Sequence, residues 1–586
     1  MKKSKFFKAL CVLMSIAIIA VTVPVLRAKA ATASATFAVF SDMHYLADSL
    51  YDVNSKAWAN YLETTHREME QAGVLVDRAL EVSEHYLEEA KANDSAFVLI
   101  PGDLTKDGEY ESHKEMAQKF AAFEAETGIP VFVVPGNHDI RNSNATDYTG
   151  ETSKRAKKTQ PGDFEKIYKN FGYDENDPDC ISRFHPASGK LGGYLSYSWK
   201  LNDSFMLLAV DSNKYSADNG APKNEHVTDG MIGEDLMNWI KEQCAYAKEN
   251  GLQIVFMQHH NIVQHMDIEE ATFFAFVIDN WEYVCDNYAD AGIHYVFTGH
   301  LHSHDTASYV SDNGERVTDL LTATLTGYPN EMRIAEFTAT GSEYKMEMQS
   351  HAVDEFTPVS YVRNGETITY AQPFKYTSSY DMTFGKDIKE FAYSAVLGLV
   401  KTYFPQIQKA GGLINFLTSK GVDLESIIRN ALGTNGLQIG DTEILTVSQN
   451  LMGFINELGS QIDARYINNK DYTMSVVSDL LDTLLGFEVS DKPCTLYYDR
   501  AGHGTLTGPT TLDDFAQTAL LSYYGGDEDI TADPMIQDVL DRFESGELAQ
   551  EFFTLLRKRL LRISRSTKFS QTSTSTRANS SPTARL

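Results

Sequence analysis

Short apolar segments that each end in a polar cluster recur along roughly the first 300 residues, and this pattern limits the possible folds more than any other feature. The segments resemble buried strands, and amphipathic helical stretches separate most of them. This alternation predicts an α/β fold with layered sheets. Ligands of such sheets bind beyond the carboxyl ends of the strands, so the polar clusters hold the candidate functional residues. The predicted strands are 36–40, 96–100, 130–134, 205–210, 252–257 and 293–297.

Helices are predicted between these strands from apolar residues spaced three or four positions apart. They cover an apolar stripe over 69–87 and the ranges 111–126, 229–250 and 273–288. Residues 140–193 are polar and rich in turn-forming residues, so we expect a loop insertion there.

After residue 353 the sequence changes to helical periodicity, with apolar stripes over 388–403, 451–462 and 480–484. We expect a mainly α-helical region after the α/β domain. The last 24 residues include 12 Ser or Thr and no acid, a composition typical of disorder. The predicted division is a signal peptide (1–30), an α/β domain (31–353), a helical domain (354–486), a mixed region (487–562) and a disordered, basic, Ser/Thr-rich tail (563–586).

The first 30 residues have the features of an export signal. Four lysines precede an apolar stretch from Ala9 to Leu26, and Ala28-Lys29-Ala30 matches a cleavage site. We therefore expect a secreted or cell-envelope protein whose mature chain begins at Ala31. An uncleaved membrane anchor is the alternative, because 18 apolar residues are close to the minimum for a membrane span.

The formal charge of −30 argues against a general nucleic-acid-binding protein, which would carry a basic surface. The acidic excess lies between the two ends, since residues 1–30 and 555–586 contain basic residues and no acids. An acidic chain repels anionic substrates, so an anion site in it would need a local positive source such as metal ions. The C-terminal half is a candidate for contact with the cell envelope.

Five polar clusters follow the predicted strands, and together they resemble a metal site. They supply carboxylates, imidazoles and one amide but no thiolate, a set suited to Mn, Fe, Zn or Co. A catalytic zinc ion needs three protein ligands, so seven candidate ligands are too many for one ion and suit two ions that share a carboxylate. The clusters are Asp42-x-His44, Gly102-Asp103, Gly136-Asn137-His138-Asp139, His259-His260 and Gly299-His300-Leu301-His302.

The order D-x-H, G-D, G-N-H-D, H and G-H-x-H closely resembles the calcineurin-like metallophosphoesterases over roughly residues 36–350. The resemblance implies a sandwich of β-sheets flanked by helices for residues 31–353. It also implies two divalent or mixed-valence transition-metal ions, Mn, Fe or Zn, and a phosphoester substrate. A metal-bridging hydroxide would attack phosphorus in line.

The resemblance also implies a role for each motif residue. Asp42, His44 and His302 would bind the first metal, and Asn137, His259 and His300 the second. Asp103 would bridge both ions. The position of the metal ligand within the family's motif favours His259 over the adjacent His260. The imidazole of His138 would contact the phosphate and protonate the leaving oxygen, with Asp139 as its orienting partner.

Departures from two branches of the family bear on the substrate. Lys106 stands where the purple acid phosphatases have a tyrosine, and the D-R-G of the protein Ser/Thr phosphatases is missing. This favours the cyclic-nucleotide and glycerophosphodiester phosphodiesterase branch. A phosphomonoesterase, an extracellular nuclease of the same family, and a cell-surface binding protein with a degenerate enzyme fold remain alternatives.

Overall fold

The computed structural model describes almost all of the predicted α/β domain. It covers residues 32–65, 72–91, 96–222, 225–265, 276–327, 329–340 and 343–353. After residue 353 it describes short segments only, the longest being 485–495, 508–516 and 533–545. The predicted signal peptide, the helical stripes over 388–403 and 451–462, and the tail from 563 lie outside the described residues, as does most of 480–484.

A five-stranded mixed sheet holds the first three motif-bearing strands. β1 (Thr32–Val39), β2 (Ala96–Ile100) and β3 (Val131–Val133) run parallel. β13 (Glu331–Thr340) pairs antiparallel with β1, and β14 (Glu343–Ala352) pairs antiparallel with β13. The order is β14-β13-β1-β2-β3, so the carboxyl ends of β1, β2 and β3 share one edge.

A seven-stranded sheet holds the remaining motifs in the order β11-β12-β10-β9-β8-β7-β6. Its four central strands, β12, β10, β9 and β8, are parallel, and antiparallel strands complete both sides. The strands are β6 (Cys180–Arg183), β7 (Tyr197–Lys200), β8 (Phe205–Val210), β9 (Gln253–Gln258), β10 (Tyr295–Thr298), β11 (Asp305–Val310) and β12 (Arg316–Leu321).

The two sheets pack face to face, with helices outside them. Phe37 of β1 lies 5.3 Å from Phe297 of β10 between ring centroids, and Phe205 of β8 lies 5.5 Å from Phe337 of β13. The helices are α1 (Lys56–Thr65), α2 (Ala72–Lys91), α3 (Tyr110–Thr127), α4 (Pro161–Ile167), α5 (Glu234–Asn250) and α6 (Trp281–Ala291). The mixed α/β architecture agrees with the predicted fold class.

Strand alternation explains why both faces of the second sheet are apolar. In β8, Leu207 belongs to the core between the sheets, whereas Leu208 belongs to the cluster under α5 and α6. Val255 and Phe256 of β9 divide in the same way. A strand covered on both sides needs apolar residues at successive positions, which is why these strands are continuous apolar runs.

The helix predicted over 273–288 was placed too early. The structure has α6 at Trp281–Ala291, and described residues 276–280 are not helical. Val277 forms a bridge with Asn261, and the N–H of Ile278 donates to the carbonyl of Asn261 at 3.0 Å. These contacts hold the chain extended beside the loop after β9, so tertiary pairing overrides the helical periodicity.

The insertion over 140–193 is more structured than predicted. It contains a short hairpin of β4 (Thr146–Asp147) and β5 (Lys154–Arg155), then α4, a kinked turn over Lys169–Tyr173, and β6. Pro161 begins α4, and a capping box between Gln160 and Asp163 fixes that end.

The described segments after residue 353 contain small elements only. Val489, Cys494, Met535, Ile536, Val539 and Leu548 form a separate apolar cluster. Within the part of the chain that the structure describes, no helix is long and apolar enough to cross a bilayer. The elements are β15 (Ser360–Arg363), β16 (Glu366–Thr369), β17 (Glu488–Ser490), β18 (Tyr498–Asp499), β19 (Gly502–His503), β20 (Thr510–Thr511) and α7 (Pro534–Glu544).

Candidate metal centre

The seven predicted metal ligands come from five strand ends that belong to two different sheets. The residues after β1, β2 and β3 approach from the first sheet, and those after β9 and β10 approach from the second. The side chains meet where the carboxyl edges of the two sheets adjoin, as expected for ligand sites in open α/β sheets. The seven residues are Asp42, His44, Asp103, Asn137, His259, His300 and His302.

Asp42, His44 and His302 form the first group of converging donor atoms. The Nε2 atoms of the two histidines are 3.1 Å apart, and Asp42 Oδ1 lies 3.3 Å from His302 Nε2. The donor atoms of this group all lie within 4.8 Å of one another. One ion could therefore contact all three.

Asp103, His259 and His300 form the second group, with donor atoms again within 4.8 Å of one another. His259 Nε2 lies 3.3 Å from Asp103 Oδ2 and 3.0 Å from Asn137 Oδ1. The asparagine thus joins the same cluster through its amide oxygen. Four donors are available at this second position.

Asp103 connects the two positions. Its carboxylate belongs to the group with His259 and His300 and also to a group with His44 and His138. Since His44 is a member of the first group as well, Asp103 lies between the two positions. A carboxylate has two oxygens and can contact two ions at once, which is the arrangement that a dinuclear centre requires.

The backbone at the site is strained. Seven described non-glycine residues have a positive φ, and five of them are predicted ligands. Such conformations cost about 1–3 kcal/mol each and persist only where the surroundings fix them. The fold therefore accepts strain here to direct these side chains inward. The five are Asp42 (52°), His44 (44°), Asp103 (46°), His300 (76°) and His302 (64°).

Two glycines of the motifs are required for close approach between neighbouring clusters. A Cβ at Gly136 would overlap the Asp103 carboxylate, and a Cβ at Gly299 would overlap Asp42 Oδ2 and Ser41 Oγ. Each glycine thus makes room for a ligand from a different strand, which explains why these motifs contain glycine.

The donor set fits the metals that the sequence predicts. Imidazole nitrogens, carboxylate oxygens and an amide oxygen suit Mn, Fe and Zn, and the described cluster contains no thiolate. Two imidazole Nε2 atoms 3.1 Å apart would repel each other unless a proton or cation lies between them. The residues present therefore fit two transition-metal ions.

The ionisable side chains of the site stabilise one another's charged forms. Burial disfavours a charge on Asp103, but His259, His138 and His44 outweigh this and hold the pKa of that carboxyl well below its usual value. Burial likewise opposes a charge on His259, yet Asp103 raises the pKa of this imidazole to about 9. The Asp103 carboxylate is thus kept ionised, the state in which it can bind cations.

His259 and His260 are adjacent in sequence, but their imidazole rings make different contacts. The Nδ1 atom of His259 donates to the carbonyl of Pro101 at 2.8 Å, which leaves Nε2 toward Asn137 and Asp103. Both ring nitrogens of His260 are engaged elsewhere, with Ser212 Oγ at 2.8 Å and the Thr228 carbonyl at 2.9 Å. The geometry therefore favours His259 as the ligand.

His138 lies at the open side of the site. Its side chain is 36% exposed; among the predicted metal ligands, the side chain of His302 is 24% exposed and the others are buried. The Nδ1 atom donates to the carbonyl of Lys106 at 2.6 Å and lies 3.3 Å from Asp107 Oδ1. This fixes the ring and leaves Nε2 available to a substrate.

Asp139 does not have the orienting role that the sequence predicted. Its carboxylate is fully buried and accepts hydrogen bonds from the backbone N–H groups of Leu104, Thr105 and Gly136 and from the Thr105 hydroxyl. These contacts tie the turn after β2 to the turn after β3. Because its oxygens are directed at these donors, Asp139 supports the two turns, and the carboxylate beside the His138 ring belongs to Asp107.

Asp107 and Asn142 are neighbours of His138 that sequence reasoning missed. Asp107 Oδ2 is paired with the Lys106 ammonium, and its Oδ1 accepts from the Asn142 amide at 3.1 Å. Asn142 also donates to the carbonyl of His138 at 3.2 Å. A signal for Asp107 was present, since it closes the run Gly102-Asp103-Leu104-Thr105-Lys106-Asp107. Asn142 lies in the predicted loop insertion and carried no signal.

The chain was also compared with known families and known proteins. Residues 35–304 match the calcineurin-like phosphoesterase family. A dimetal phosphatase from Danio rerio is 14% identical, with a TM-score of 0.33, and the alignment covers 54% of this chain and 98% of that one. The sulfate thiohydrolase SoxB of Thermus thermophilus is 11% identical with a TM-score of 0.26, over 54% of this chain and 56% of that one. No curated protein matches the chain significantly.

The family match spans the same five motifs that meet at the carboxyl edges of the two sheets. Members of this family depend on two metal ions, and the described residues supply donor groups for such a centre. Residues 35–304 are therefore a calcineurin-like phosphoesterase domain, and the protein is a metal-dependent hydrolase of phosphoric esters.

Proposed function

We propose that this protein is an exported phosphodiesterase whose two metal ions are held by the seven converging residues. The observation that carries the proposal is the position of Asp103, which belongs to donor groups on both sides. Asp42, His44 and His302 would hold one ion, and Asn137, His259 and His300 the other. Bound ions of this kind stabilise charge on phosphoryl oxygens and activate water at neutral pH.

His138 is proposed to bind the phosphoryl group and to protonate the leaving oxygen. Its partly exposed ring lies at the open side, with Nδ1 held by the Lys106 carbonyl and by Asp107. Burial opposes the charge on His138, but Asp103 and Asp107 raise the pKa of the imidazole to about 9. A protonated ring can donate from Nε2 while Nδ1 keeps its own partner.

The charges around His138 support a diester rather than a monoester. The Lys106 ammonium is paired with Asp107 and lies 5.1 Å and 5.4 Å from the ring centroids of Tyr61 and Tyr148. Its charge is therefore already matched by a neighbour. A phosphodiester brings one negative charge to the site and a phosphomonoester brings two, so the diester is the better match.

Activity on two nitrophenyl esters tests this substrate preference. Purified chain 31–586, loaded with Mn, Zn or Fe, is expected to show a higher kcat/KM on bis-p-nitrophenyl phosphate than on p-nitrophenyl phosphate. An Asp103→Asn variant purified in parallel controls for contaminating phosphatases, because it lacks the proposed bridging carboxylate. Faster hydrolysis of the monoester would contradict the diester preference. No hydrolysis of either ester by protein that holds two ions would indicate a binding protein.

Export rests on the sequence of residues 1–30, with its basic start, apolar stretch and Ala28-Lys29-Ala30 site. Export would also place residues 354–586 beside the cell envelope, which their basic tail could contact. Mass spectrometry of protein from the producing cells should identify Ala31 as the N-terminus. A membrane-bound chain that retains Met1 would instead indicate an anchor.

A further inference from the structure

We infer that a second buried cluster, made by Asp319, His265 and Asp305, positions the loops that carry His259 and His300 and so sets the affinity of one of the two metal sites. We call these three residues the loop clamp. The inference rests on the ligand assignment proposed above. None of the three belongs to the predicted metal site, and no sequence motif pointed to them.

Asp319 holds both loops with one carboxylate. It lies on β12 and is fully buried. Its Oδ2 accepts the N–H of Ile262 at 2.7 Å and of Val263 at 3.4 Å, and its Oδ1 accepts the hydroxyl of Thr298 at 2.5 Å. Ile262 is three residues after His259, and Thr298 is two residues before His300. One side chain therefore connects the segments on which two proposed ligands lie.

The two loops are also joined directly. The Asn261 amide donates to Thr298 Oγ1 at 2.8 Å, and the N–H of Gly299 donates to the carbonyl of His259 at 3.0 Å. The Thr298 hydroxyl thus accepts a hydrogen bond from Asn261 and donates one to Asp319. The chain of bonds runs from Asn261 through Thr298 to Asp319, and no member of it is a proposed ligand.

His265 connects this network to the end of the second loop. Its Nδ1 lies 2.8 Å from Asp305 Oδ2, and its Nε2 lies 3.5 Å from Asp319 Oδ2. Asp305 is three residues after His302. The histidine side chain is inaccessible, and burial alone would lower the pKa of its imidazole, yet the two carboxylates raise it to about 10. The clamp therefore contains a cation between two carboxylates.

A role in packing alone does not explain these residues. Asp319 is followed on β12 by the buried leucines Leu320 and Leu321, so an apolar side chain would suit the strand. Burying a carboxylate is costly unless its acceptors are filled. The acceptors of Asp319 are filled by Ile262 and Val263, on the loop after β9, and by Thr298, the last residue of β10 before the second loop. The hydrogen bonds of Asp319 are therefore directed at the segments that carry His259 and His300.

The strained backbone explains why the loops need such a restraint. His300 has a φ of 76° and His302 a φ of 64°, conformations that an unrestrained loop would leave. Metal ligands must be held within about 0.5 Å of their productive positions. Loss of residues that orient metal ligands typically lowers metal affinity about 10–100-fold. We expect an effect of that size at the site of His259 and His300.

The test measures metal binding by isothermal titration calorimetry on the metal-free mature chain, with Mn²⁺ as the probe. Asp319→Asn removes the negative charge and an acceptor from the clamp. It should weaken one binding step about 10–100-fold and leave the other within about threefold of wild type. The weakened step should be the one that His300→Ala abolishes and that His44→Ala spares.

Glu124→Gln is the matched control. Glu124 is a half-buried carboxylate that also accepts a backbone N–H, that of Val131 at 2.8 Å, but it lies near the end of α3 and contacts the amino end of β3, away from the metal site. It should leave both binding steps unchanged. Thr298→Val is a milder second variant that removes only the hydroxyl between Asn261 and Asp319, and it should weaken the same step by a smaller factor.

The outcomes separate the clamp from the ligand assignment. Wild-type affinities in both Asp319→Asn and Thr298→Val would overturn the clamp. Equal weakening of both steps would also overturn it, since that result indicates general destabilisation. If Asp319→Asn does not fold, Thr298→Val decides alone. A wild-type chain with one binding step, or with two steps that His300→Ala leaves intact, contradicts the ligand assignment itself.

Discussion

The Nε2 atoms of His44 and His302 face each other at 3.1 Å, although 258 positions separate the two residues in the chain. The two side chains come from different sheets, and Asp42 Oδ1 lies 3.3 Å from the second of them. Such an approach is stable when the nitrogens share a cation. The two packed sheets therefore bring together a candidate metal position that neither sheet could form alone.

The role of His138 can be tested by changing the leaving group. His138→Ala should retain both metals and lose about 10²–10⁴-fold in kcat on an alkyl phosphodiester, because an alkoxide needs a proton to leave. The loss should be much smaller on a nitrophenyl diester, whose phenolate leaves without one. Equal losses on both substrates, with metal content unchanged, would restrict His138 to charge stabilisation.

Asp107 and Asp139 should differ in what their amide variants lose. Asp107→Asn weakens the support of the His138 ring and should lower kcat about 10–100-fold. It also leaves the buried Lys106 ammonium without its charged partner, so a loss of stability should accompany the loss of activity. Asp139→Asn replaces one of the two acceptor oxygens by an amide NH2, so two of the four buried donors lose their acceptor. The free energy of unfolding should fall by about 1–3 kcal/mol, with a smaller loss of kcat than in Asp107→Asn. Steady-state kinetics and urea unfolding of both variants give the comparison. The reverse pattern would restore the orienting role to Asp139.

We predict a pH dependence of the stability that arises from Glu124 and is independent of the metal site. Burial raises the pKa of its carboxyl from 4.5 to about 7, partly offset by the Val131 N–H. The folded chain therefore binds this proton more tightly than the unfolded chain does, and the stability it contributes is lost as pH rises from about 4.5 to 7. Glu124→Gln should flatten this part of the profile in urea unfolding. Glu126→Gln, an exposed neighbour on α3, should follow wild type.

Residues 31–353 should fold and hydrolyse esters without the rest of the chain. All the proposed ligands and both described cores of the α/β domain lie within this range, and Val353 closes the core with its N–H donated to Asn330 at 2.9 Å. Metal content and kcat/KM of this fragment should match those of the full mature chain. A folded, metal-loaded fragment without activity would show that residues 354–586 complete the site.

Local patterns were sufficient to predict most of the strands. Ala96–Ile100 and Phe205–Val210 have the predicted bounds, because apolar runs between turn residues can be recognised without tertiary information. The helix placed at 273–288 failed, because the pairing of Val277 with Asn261 is a long-range contact. The spacing of apolar residues indicates which face of a segment is apolar. It does not indicate whether a distant segment forms hydrogen bonds with the same backbone.

The same limit applies to the site. The predicted ligands lie directly after strands, so topology alone brings them together. The partner of His138 could not be chosen this way, since Asp107 and Asp139 are both close in sequence and only the turn geometry separates them. The loop clamp could not be predicted from sequence for the same reason. Asp319 lies within a strand, and its side chain contacts residues that are 20 and more positions away in the chain.

The metal content of the purified chain tests the central claim most directly. The claim is that Asp42, His44, Asp103, Asn137, His259, His300 and His302 together hold two ions. Elemental analysis after loading with Mn, Zn or Fe and removal of free metal should give two ions per chain. A reproducible value of one or less, in protein that is folded, would contradict the dinuclear centre.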